Sequence, residues 1–297
     1  MNYLPHMRIT TVNGLPHFIA ESIGPVAIYL DNDSLIQLAK GPAPTRDRFL
    51  EALRAGGTFL FSFTNAAELA GPQGASADAV RAFLNAVGPR WIPLEMDPRR
   101  VMNREQQGAK DPAISLSFIE GYFKQRAFEA SPDGHRIVDL SADRFFELGA
   151  VVDWVGHMRP RIRAWARELD DTLSSELEKL RLAYQRDSKS LDRVLPPLPF
   201  DLGRPATFVW VHLLRTLVIE AKAYQFKKND GLDFCHAVVA GAYASIATLD
   251  KQWKRRVDGL PKPNQVARVF YRPEIDEFVQ LFEEVVANVA TSNHPAV

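Results

Sequence analysis

The amino-acid sequence predicts an α/β protein with a mainly parallel central sheet, and three observations lead to that prediction. Continuous apolar segments of strand length alternate with amphipathic helical patterns in the first third of the chain, and this alternation returns in the last third. Strands that alternate with helices favour parallel pairing, because each helix carries the chain back to the start of the next strand. Acidic residues also follow two of the predicted strands directly.

The first third of the chain contains three predicted strands and four predicted helices. The strands are residues 26–30, 58–61 and 91–94, the last of them an edge segment. The helices are residues 34–40, 45–55 and 76–87, and a further one that Thr64 caps and that carries Glu68. The Gly56-Gly57 pair ends the second helix, which places the next strand directly after it.

The middle of the chain is predicted to be helical. Residues 112–186 show almost wholly helical periodicity, with one helix beginning near Ser141 and a separate long helix following Pro160. A proline-rich break at residues 194–205 closes this block, and one more helix, residues 206–226, leads back to the α/β pattern.

The last third restores the order of helix and strand. Residues 231–243 are predicted to form a helix with small side chains on one side, followed by a short strand at residues 245–248. Asp250 comes directly after that strand and precedes a basic segment. A further strand is predicted at residues 266–271, and Pro273 opens the C-terminal helix.

Composition excludes several classes of protein. Lysine plus arginine and aspartate plus glutamate are both 36 in number, so a polyanionic partner would have to bind a local basic patch. The single cysteine, Cys235, excludes an intrachain disulfide and a cysteine-rich zinc site, and it agrees with a reducing compartment. No segment is apolar over the roughly 18 residues that a membrane span needs. We therefore expect a soluble, cytoplasmic protein without a membrane partner.

Four acids are candidates for one shared site. Asp31 and Asp250 follow predicted strands, Glu68 lies in a helix after a strand, and Asp233 lies in the first turn of a late helix. Ligands of an open parallel sheet bind outside the carboxyl ends of its strands, so these side chains are expected to converge there. Clustered carboxylates repel each other, and a hard divalent cation such as Mg²⁺ or Mn²⁺ removes that repulsion. Such an ion can activate water for phosphodiester hydrolysis.

The segments YLDNDSLIQL, SFTNAAEL and DGLDFCHAVVAGAYASIATLDKQW resemble, in the same order, the acidic motifs of PIN-domain nucleases. The resemblance covers about residues 24–95 and 220–272. It implies a three-layer α/β/α sandwich, interrupted here by an all-helical insertion. The implied division is residues 1–97 and 224–297 for the two parts of the PIN-like domain and residues 98–223 for the insertion.

The resemblance also implies residue roles and an activity. The metal-binding and catalytic acids would be Asp31, Glu68, Asp233 and Asp250, with Thr64, Asp230 and Thr248 as supporting residues. Asp33, where the family often has Asn or Ser, and His236, one helical turn from Asp233, are further supporting candidates. PIN-like proteins of this kind usually cleave RNA, many are toxins held by an antitoxin or another protein inhibitor, and many form homodimers. The insertion departs from the usual length of the family and could form a lid, a dimer surface or an RNA-positioning arm.

Structural roles compete with these functional ones. Asp31 and Asp250 could be a helix cap and a turn residue, Glu68 an exposed helix residue, and His236 a hydrogen-bonded core histidine. Asp33 either joins the acids or caps the helix of residues 34–40.

Two basic clusters are candidates for RNA contacts. The first consists of Lys251, Lys254, Arg255 and Arg256, and the second lies on a helix and consists of Arg159, Arg161, Arg163 and Arg167 beside Trp165.

Motif searches remove other functions. The sequence has no nucleophile elbow, no phosphate-binding P-loop, no His-Glu-x-x-His zinc motif and no dinucleotide fingerprint. The prediction is a Mg²⁺- or Mn²⁺-dependent endoribonuclease. The alternatives are a catalytically idle PIN-like interaction module, and a DNA-directed nuclease or metal-dependent phosphatase that uses the same site.

Overall fold

The computed structural model describes residues 7–12, 15–20, 23–71, 74–118, 121–122, 147–222, 224–227 and 229–292. It contains a five-stranded, all-parallel central sheet flanked by helices, which confirms the predicted α/β class. The strands of the described chain are β1 Met7–Val12, β2 Leu15–Ala20, β3 Val26–Tyr29, β4 Gly57–Ser62, β5 Trp91–Leu94, β6 Ile246–Thr248 and β7 Arg268–Phe270. The central sheet has the order β5-β4-β3-β6-β7, and β1 and β2 form a separate antiparallel pair.

The described helices follow the chain order between and after these strands. They are α1 Asn32–Lys40, α2 Ala43–Gly56, α3 Phe63–Leu69, α4 Ala75–Ala86, α5 Pro98–Gln106, α6 Leu116–Phe118, α7 Leu148–Arg186, α8 Ser190–Val194, α9 Pro205–Ile219, α10 Asp230–Tyr243, α11 Lys251–Asp258 and α12 Ile275–Ser292. The 3₁₀ turn Glu220–Lys222 follows α9, and the 3₁₀ turn Arg272–Glu274 precedes α12. No described helix combines the length and the apolar character that crossing a bilayer requires.

The three strands in the middle of the sheet are mostly apolar and fully buried. Strand β3 lies between β4 and β6, and Ile28 is aligned with Phe59 on one side and with Ile246 on the other. All residues of β3, β4 and β6 are buried, because helices cover both faces of a parallel sheet. The carboxyl ends of these three neighbouring strands therefore lie side by side, and the chain leaves each of them into a helix.

Two groups of helices pack on the sheet. Helices α2 and α12 pack against each other, and Phe49 of α2 contacts Phe278 and Phe282 of α12. Helix α10 packs against α5, α7, α9 and α11. The small residues Ala237 and Ala240 of α10 are fully buried, as the sequence predicts for a helix that packs closely. Helix α7 also contacts α3 and α4, so the helical block of the middle of the chain touches the α/β part.

Two predicted helix starts are wrong. Helix α1 begins at Asn32 rather than at Ser34, because Asp31 caps it. Helix α3 is capped by Ser62, which forms a capping box with Asn65, and not by Thr64, which lies inside the helix.

The predicted break near Pro160 is also wrong, because α7 is one helix of 39 residues that contains this proline. A proline inside a helix costs about 3 kcal/mol. The packing of α7 on α3, α4, α9 and α10 offsets that cost. The predicted helix start near Ser141 lies outside the described residues. The helix predicted at residues 206–226 ends earlier, at Ile219.

Candidate metal centre

Asp31 and Asp250 have the same local geometry at the ends of two neighbouring strands. Each is the second residue after its strand and the N-cap of the next helix, with φ −65° and ψ 162° in both cases. Asp31 Oδ1 accepts from the backbone N–H of Ser34 at 3.0 Å. Asp250 Oδ1 accepts from the N–H groups of Gln252 and Trp253 at 2.9 and 3.0 Å. The capping roles considered for both residues are therefore real, and they fix the two carboxylates at one edge of the sheet.

Thr248 connects the two strand ends. Its hydroxyl donates to Asp31 Oδ1 at 2.9 Å and accepts from the Asp31 backbone N–H, also at 2.9 Å. Within the described residues, every hydrogen bond of the Asp31 carboxylate uses Oδ1. The second oxygen, Oδ2, is therefore the atom of Asp31 that remains for a ligand. The supporting role predicted for Thr248 agrees with this geometry.

Glu68 lies at the rim of the same edge, on α3. It is an exposed residue, and Oε2 accepts a short hydrogen bond from the side-chain amide of Asn32. Desolvation by the surrounding residues is the first cause that raises the pKa of Glu68, and the charges of Asp33 and Asp31 add to it. Glu68 is thus close enough to the strand-end acids for their charges to act on it, which an isolated surface glutamate would not be.

Asp233 carries the strongest electrostatic signal of the four acids. It is partly buried in the first turn of α10, and its pKa rises from 3.8 to about 7. Burial is the first cause of this shift. The other causes are the negative charges of four acids, Asp250, Glu68, Asp230 and Asp31. The positive end of α10 favours an anion there, so desolvation and repulsion outweigh the helix dipole.

The charges of the other three acids predicted from the sequence therefore all act on Asp233. Two of the four acids come from strand ends, one from α3 and one from the first turn of α10, and these places are far apart in the sequence. Within the described part of the chain, no three His, Cys, Asp or Glu side chains are already grouped closely enough to hold a metal ion. The donor set consists of carboxylate oxygens, and their repulsion is uncompensated at Asp233. Both properties suit a hard divalent cation.

A ring of hydrogen bonds lies below the acids. The amide of Asn65 donates to the Tyr29 hydroxyl at 3.3 Å, and Tyr29 contacts His236 Nδ1 at 2.5 Å. His236 Nε2 lies 3.0 Å from the Thr64 hydroxyl. The Thr64 and Ser62 hydroxyls are 2.7 Å apart, and Ser62 donates to Asn65 Oδ1 at 2.6 Å. When His236 carries its proton on Nε2, each of the five groups donates one hydrogen bond to the next: Tyr29 donates to His236 Nδ1, His236 Nε2 donates to Thr64, and Thr64 donates to Ser62. The ring of hydrogen bonds is then closed.

Burial keeps this ring neutral. It lowers the pKa of His236 to about 3 and raises the pKa of Tyr29 well above its usual value. His236 bonds to Tyr29 and Thr64, so it has the structural role that was weighed against contact with a ligand. Thr64 belongs to this ring, and the supporting role predicted for it stays a prediction.

The ring sets the positions of three acids. Tyr29 precedes Asp31 by two residues, Thr64 precedes Glu68 by four on α3, and His236 follows Asp233 by three on α10. Residues three or four apart in a helix share one face. Bonds among Tyr29, Thr64 and His236 therefore fix the spacing of the elements that carry the acids. The sequence gives little sign of this ring, because its members are separated by up to 207 residues.

The long helix α7 supplies a further support that the sequence analysis missed. The carboxylate of Asp170 accepts from the backbone N–H groups of Asn229 and Gly231 at 3.0 and 2.8 Å. It thereby caps α10, whose own N-cap, Asn229, has φ 77° and makes no side-chain cap bond. A Cβ atom on Gly231 would lie 2.5 Å from Asp170 Oδ1, so only glycine allows this approach. The helix that carries Asp233 is thus held by the helical block.

Two other predicted supports have defined places. Asp230 accepts from the Lys227 backbone N–H, and its charge contributes to the raised pKa of Asp233. Asp33 is exposed in the first turn of α1, and the capping role considered for it belongs to Asp31. The charge of Asp33 contributes to the raised pKa of Asp31 and Glu68.

The basic segment after Asp250 forms α11, which the sequence analysis did not predict as a helix. Arg256 is only 7% exposed; its guanidinium pairs with Glu220 at 3.0 Å and stacks on Trp253. Lys254 donates to Val269 O at 2.8 Å. The charges of Lys254 and Arg256 thus act inside the protein. Lys251 and Arg255 are exposed, and for them contact with nucleic acid stays a prediction.

Cys235 is fully buried, and burial raises the pKa of its thiol well above the usual value. It is a core residue of α10.

Comparison of the chain with protein-family models, with curated proteins and with solved structures gives no match.

Proposed function

We propose that this protein is a PIN-like endoribonuclease that hydrolyses RNA phosphodiester bonds with Mg²⁺ or Mn²⁺. The observation that carries the proposal is the coupling of four acids from distant parts of the sequence at the carboxyl edge of a parallel sheet. A raised pKa, caused by burial and by other acids in one site, is typical of functional positions. The parallel sheet and its flanking helices are also compatible with the three-layer sandwich of PIN-like proteins.

Asp31, Glu68, Asp233 and Asp250 would hold the cation. The bound ion would activate a water molecule and neutralise charge that develops on the phosphodiester. The residues of the chain hold these ligands in place: Thr248 orients Asp31, Asn32 orients Glu68, and the N-termini of α1 and α11 fix the two strand-end aspartates. Asp170 and His236 position Asp233 through α10.

Incubation of the purified protein with labelled single-stranded and structured RNA tests this proposal. We expect cleavage in Mn²⁺ or Mg²⁺ and none with excess chelator, because the acids alone supply no electrophile for the phosphodiester. Cleavage that persists in chelator would assign the activity to another site. A folded protein that cleaves neither RNA nor DNA with either ion would favour the idle interaction module, whereas cleavage of DNA alone would favour the DNA-directed nuclease.

A further inference from the structure

Three arginines of α7 share a cleft with Glu68, one of the four acids. Arg159, Arg163 and Arg167 are spaced four residues apart, so they share one face of the helix. They line a cleft of about 590 Å³ together with Glu68 and Asp170. The carboxylate of Glu68, on α3, therefore lies on one wall of the cleft and a row of cations on the other, on α7, which also carries Asp170. We call these three arginines the arginine row.

The arginine row is not used to pair with acids of the protein. None of the three guanidinium groups forms a hydrogen bond or an ion pair with another described residue; Arg163 and Arg167 are exposed, and Arg159 is partly buried. Nε of Arg159 is buried without a hydrogen-bond partner. The guanidinium of Arg159 packs directly on Gly71, where a Cβ atom would collide with it. A cation that is held in place without a partner is suited to an external anion.

One member of the arginine row, Arg163, also acts electrostatically on Glu68. The positive charge of Arg163 lowers the pKa of Glu68, against the larger effects that raise it. Arg163 is thus close enough to Glu68 for an anion to lie between the two walls of the cleft. A phosphate bound there would contact arginine on one side and a cation held by the acids on the other.

The cleft continues along α7 toward the chain before α10. A second depression, of about 400 Å³, is lined by Arg167, Asp170, Phe226 and Lys227. Successive members of the arginine row lie about 6 Å apart along the helix, so the row spans about 12 Å. That length suits several consecutive phosphates of an extended strand. Phe226 at its end is an aromatic side chain that could stack on a base.

We infer that the arginine row of α7 binds the phosphates of a single RNA strand and holds it against the acid cluster. This inference rests on the proposed nuclease function and gives the helical block a part in it. A single strand is favoured because all three cations lie on one wall and follow one line. The arginine row lies on a different helix from Lys251 and Arg255, the exposed basic residues of α11.

Binding of a labelled single-stranded RNA of about 12 nucleotides, measured by fluorescence anisotropy in chelator, tests this inference without cleavage. We expect the double variant Arg163→Gln/Arg167→Gln to bind at least about tenfold more weakly than the wild type at 0.1 M salt. We also expect its plot of log K against log salt to lose a slope of about 1.4, because each phosphate contact to a single strand contributes about 0.7. Both side chains are exposed, so the variant should keep the wild-type unfolding temperature.

Arg186→Gln is the control for a change outside the row, because Arg186 is an exposed arginine in the last turn of the same helix. It should bind RNA like the wild type. The single variant Arg163→Gln, which removes the same one charge, is compared with it directly and should bind RNA more weakly. Equal affinity and equal salt slope for the double variant and the wild type would overturn the inference, as would the absence of RNA binding by the wild type. Tighter binding of single-stranded DNA of the same sequence, by tenfold or more, would overturn RNA as the ligand. Loss of binding in the double variant of a protein that cleaves no RNA would support the arginine row and contradict the nuclease.

Discussion

Asp233→Asn is expected to lower the rate of metal-dependent RNA cleavage by more than about a hundredfold while the protein stays folded. An amide of the same shape keeps the packing of α10 but removes a negative charge from the cation site. Loss of an outer support of a metal ligand costs about 10–100-fold, so loss of a ligand should exceed that range. Asp31→Asn should have a similar effect, because Oδ2 of Asp31 is free of hydrogen bonds with described residues. Initial cleavage rates in Mn²⁺ measure both.

Asp47→Asn is the control for these variants, because Asp47 is an exposed aspartate of α2. It changes the net charge by the same amount and should cleave RNA at the wild-type rate. Wild-type rates for Asp31→Asn and Asp233→Asn would place the chemistry outside the four-acid cluster. Circular dichroism and the unfolding temperature establish that each variant is folded.

Repulsion among the four acids should lower the free energy of unfolding of the metal-free protein. The pKa of Asp233 is about 7 in the folded protein against 3.8 for the ordinary side chain. Between these pH values, the folded state holds a proton that the unfolded chain has released, so the contribution of Asp233 to stability falls as the pH rises. Below pH 4 Asp233 is protonated in both the folded and the unfolded state. Above pH 7 it is ionised in both states, and its charge destabilises the folded state by the full amount.

The expected result is that Asp233→Asn becomes more stable than the wild type as the pH rises from 4 to 8. The difference in the free energy of unfolding should grow by roughly 2–4 kcal/mol, with allowance for solvent screening at this partly exposed side chain. The comparison between variant and wild type is essential, because buried His236, with its pKa lowered to about 3, adds stability as the pH rises through the same acidic range. Urea unfolding in chelator at several pH values measures the difference.

For Asp47→Asn we expect a difference from the wild type that stays nearly constant over this pH range. A constant difference for Asp233→Asn as well would mean that Asp233 ionises normally. In that case, repulsion among the acids would not be a property of the folded protein.

The sequence predicts the sheet and the position of the acids because both depend on local signals. Buried parallel strands contain continuous apolar runs, such as residues 26–29 and 59–61, and helix caps favour Asp after such strands. The same two signals place Asp31 and Asp250 at the edge where ligands bind. Even the wrong helix start at Ser34 follows from local ambiguity, because Asp31 and Asp33 are both good caps and only the folded backbone decides between them.

The supports of the site depend on long-range contacts, and the sequence does not indicate them. Tyr29, Thr64 and His236 look like ordinary core or cap residues until the fold brings them together. Asp170 is one acid among several on α7, and only the approach of Gly231 shows its role as a cap. The path of α7 through Pro160 is likewise decided by tertiary packing, which outweighs the local preference. The antiparallel pair β1 and β2 was not predicted, although Asn13-Gly14 between the two segments is a typical hairpin dipeptide.

Calorimetric titration of Mn²⁺ into the wild type and into Asp31→Asn at pH 7 tests the central claim most directly, which is that the four acids form one cation site. We predict saturable binding by the wild type with release of protons, because the cation displaces the proton that Asp233 holds near that pH. Titrations in two buffers with different ionisation enthalpies measure the protons released. Asp31→Asn should bind at least about tenfold more weakly. Equal Mn²⁺ affinity for the two proteins, or no binding by the wild type at millimolar Mn²⁺, would contradict the claim.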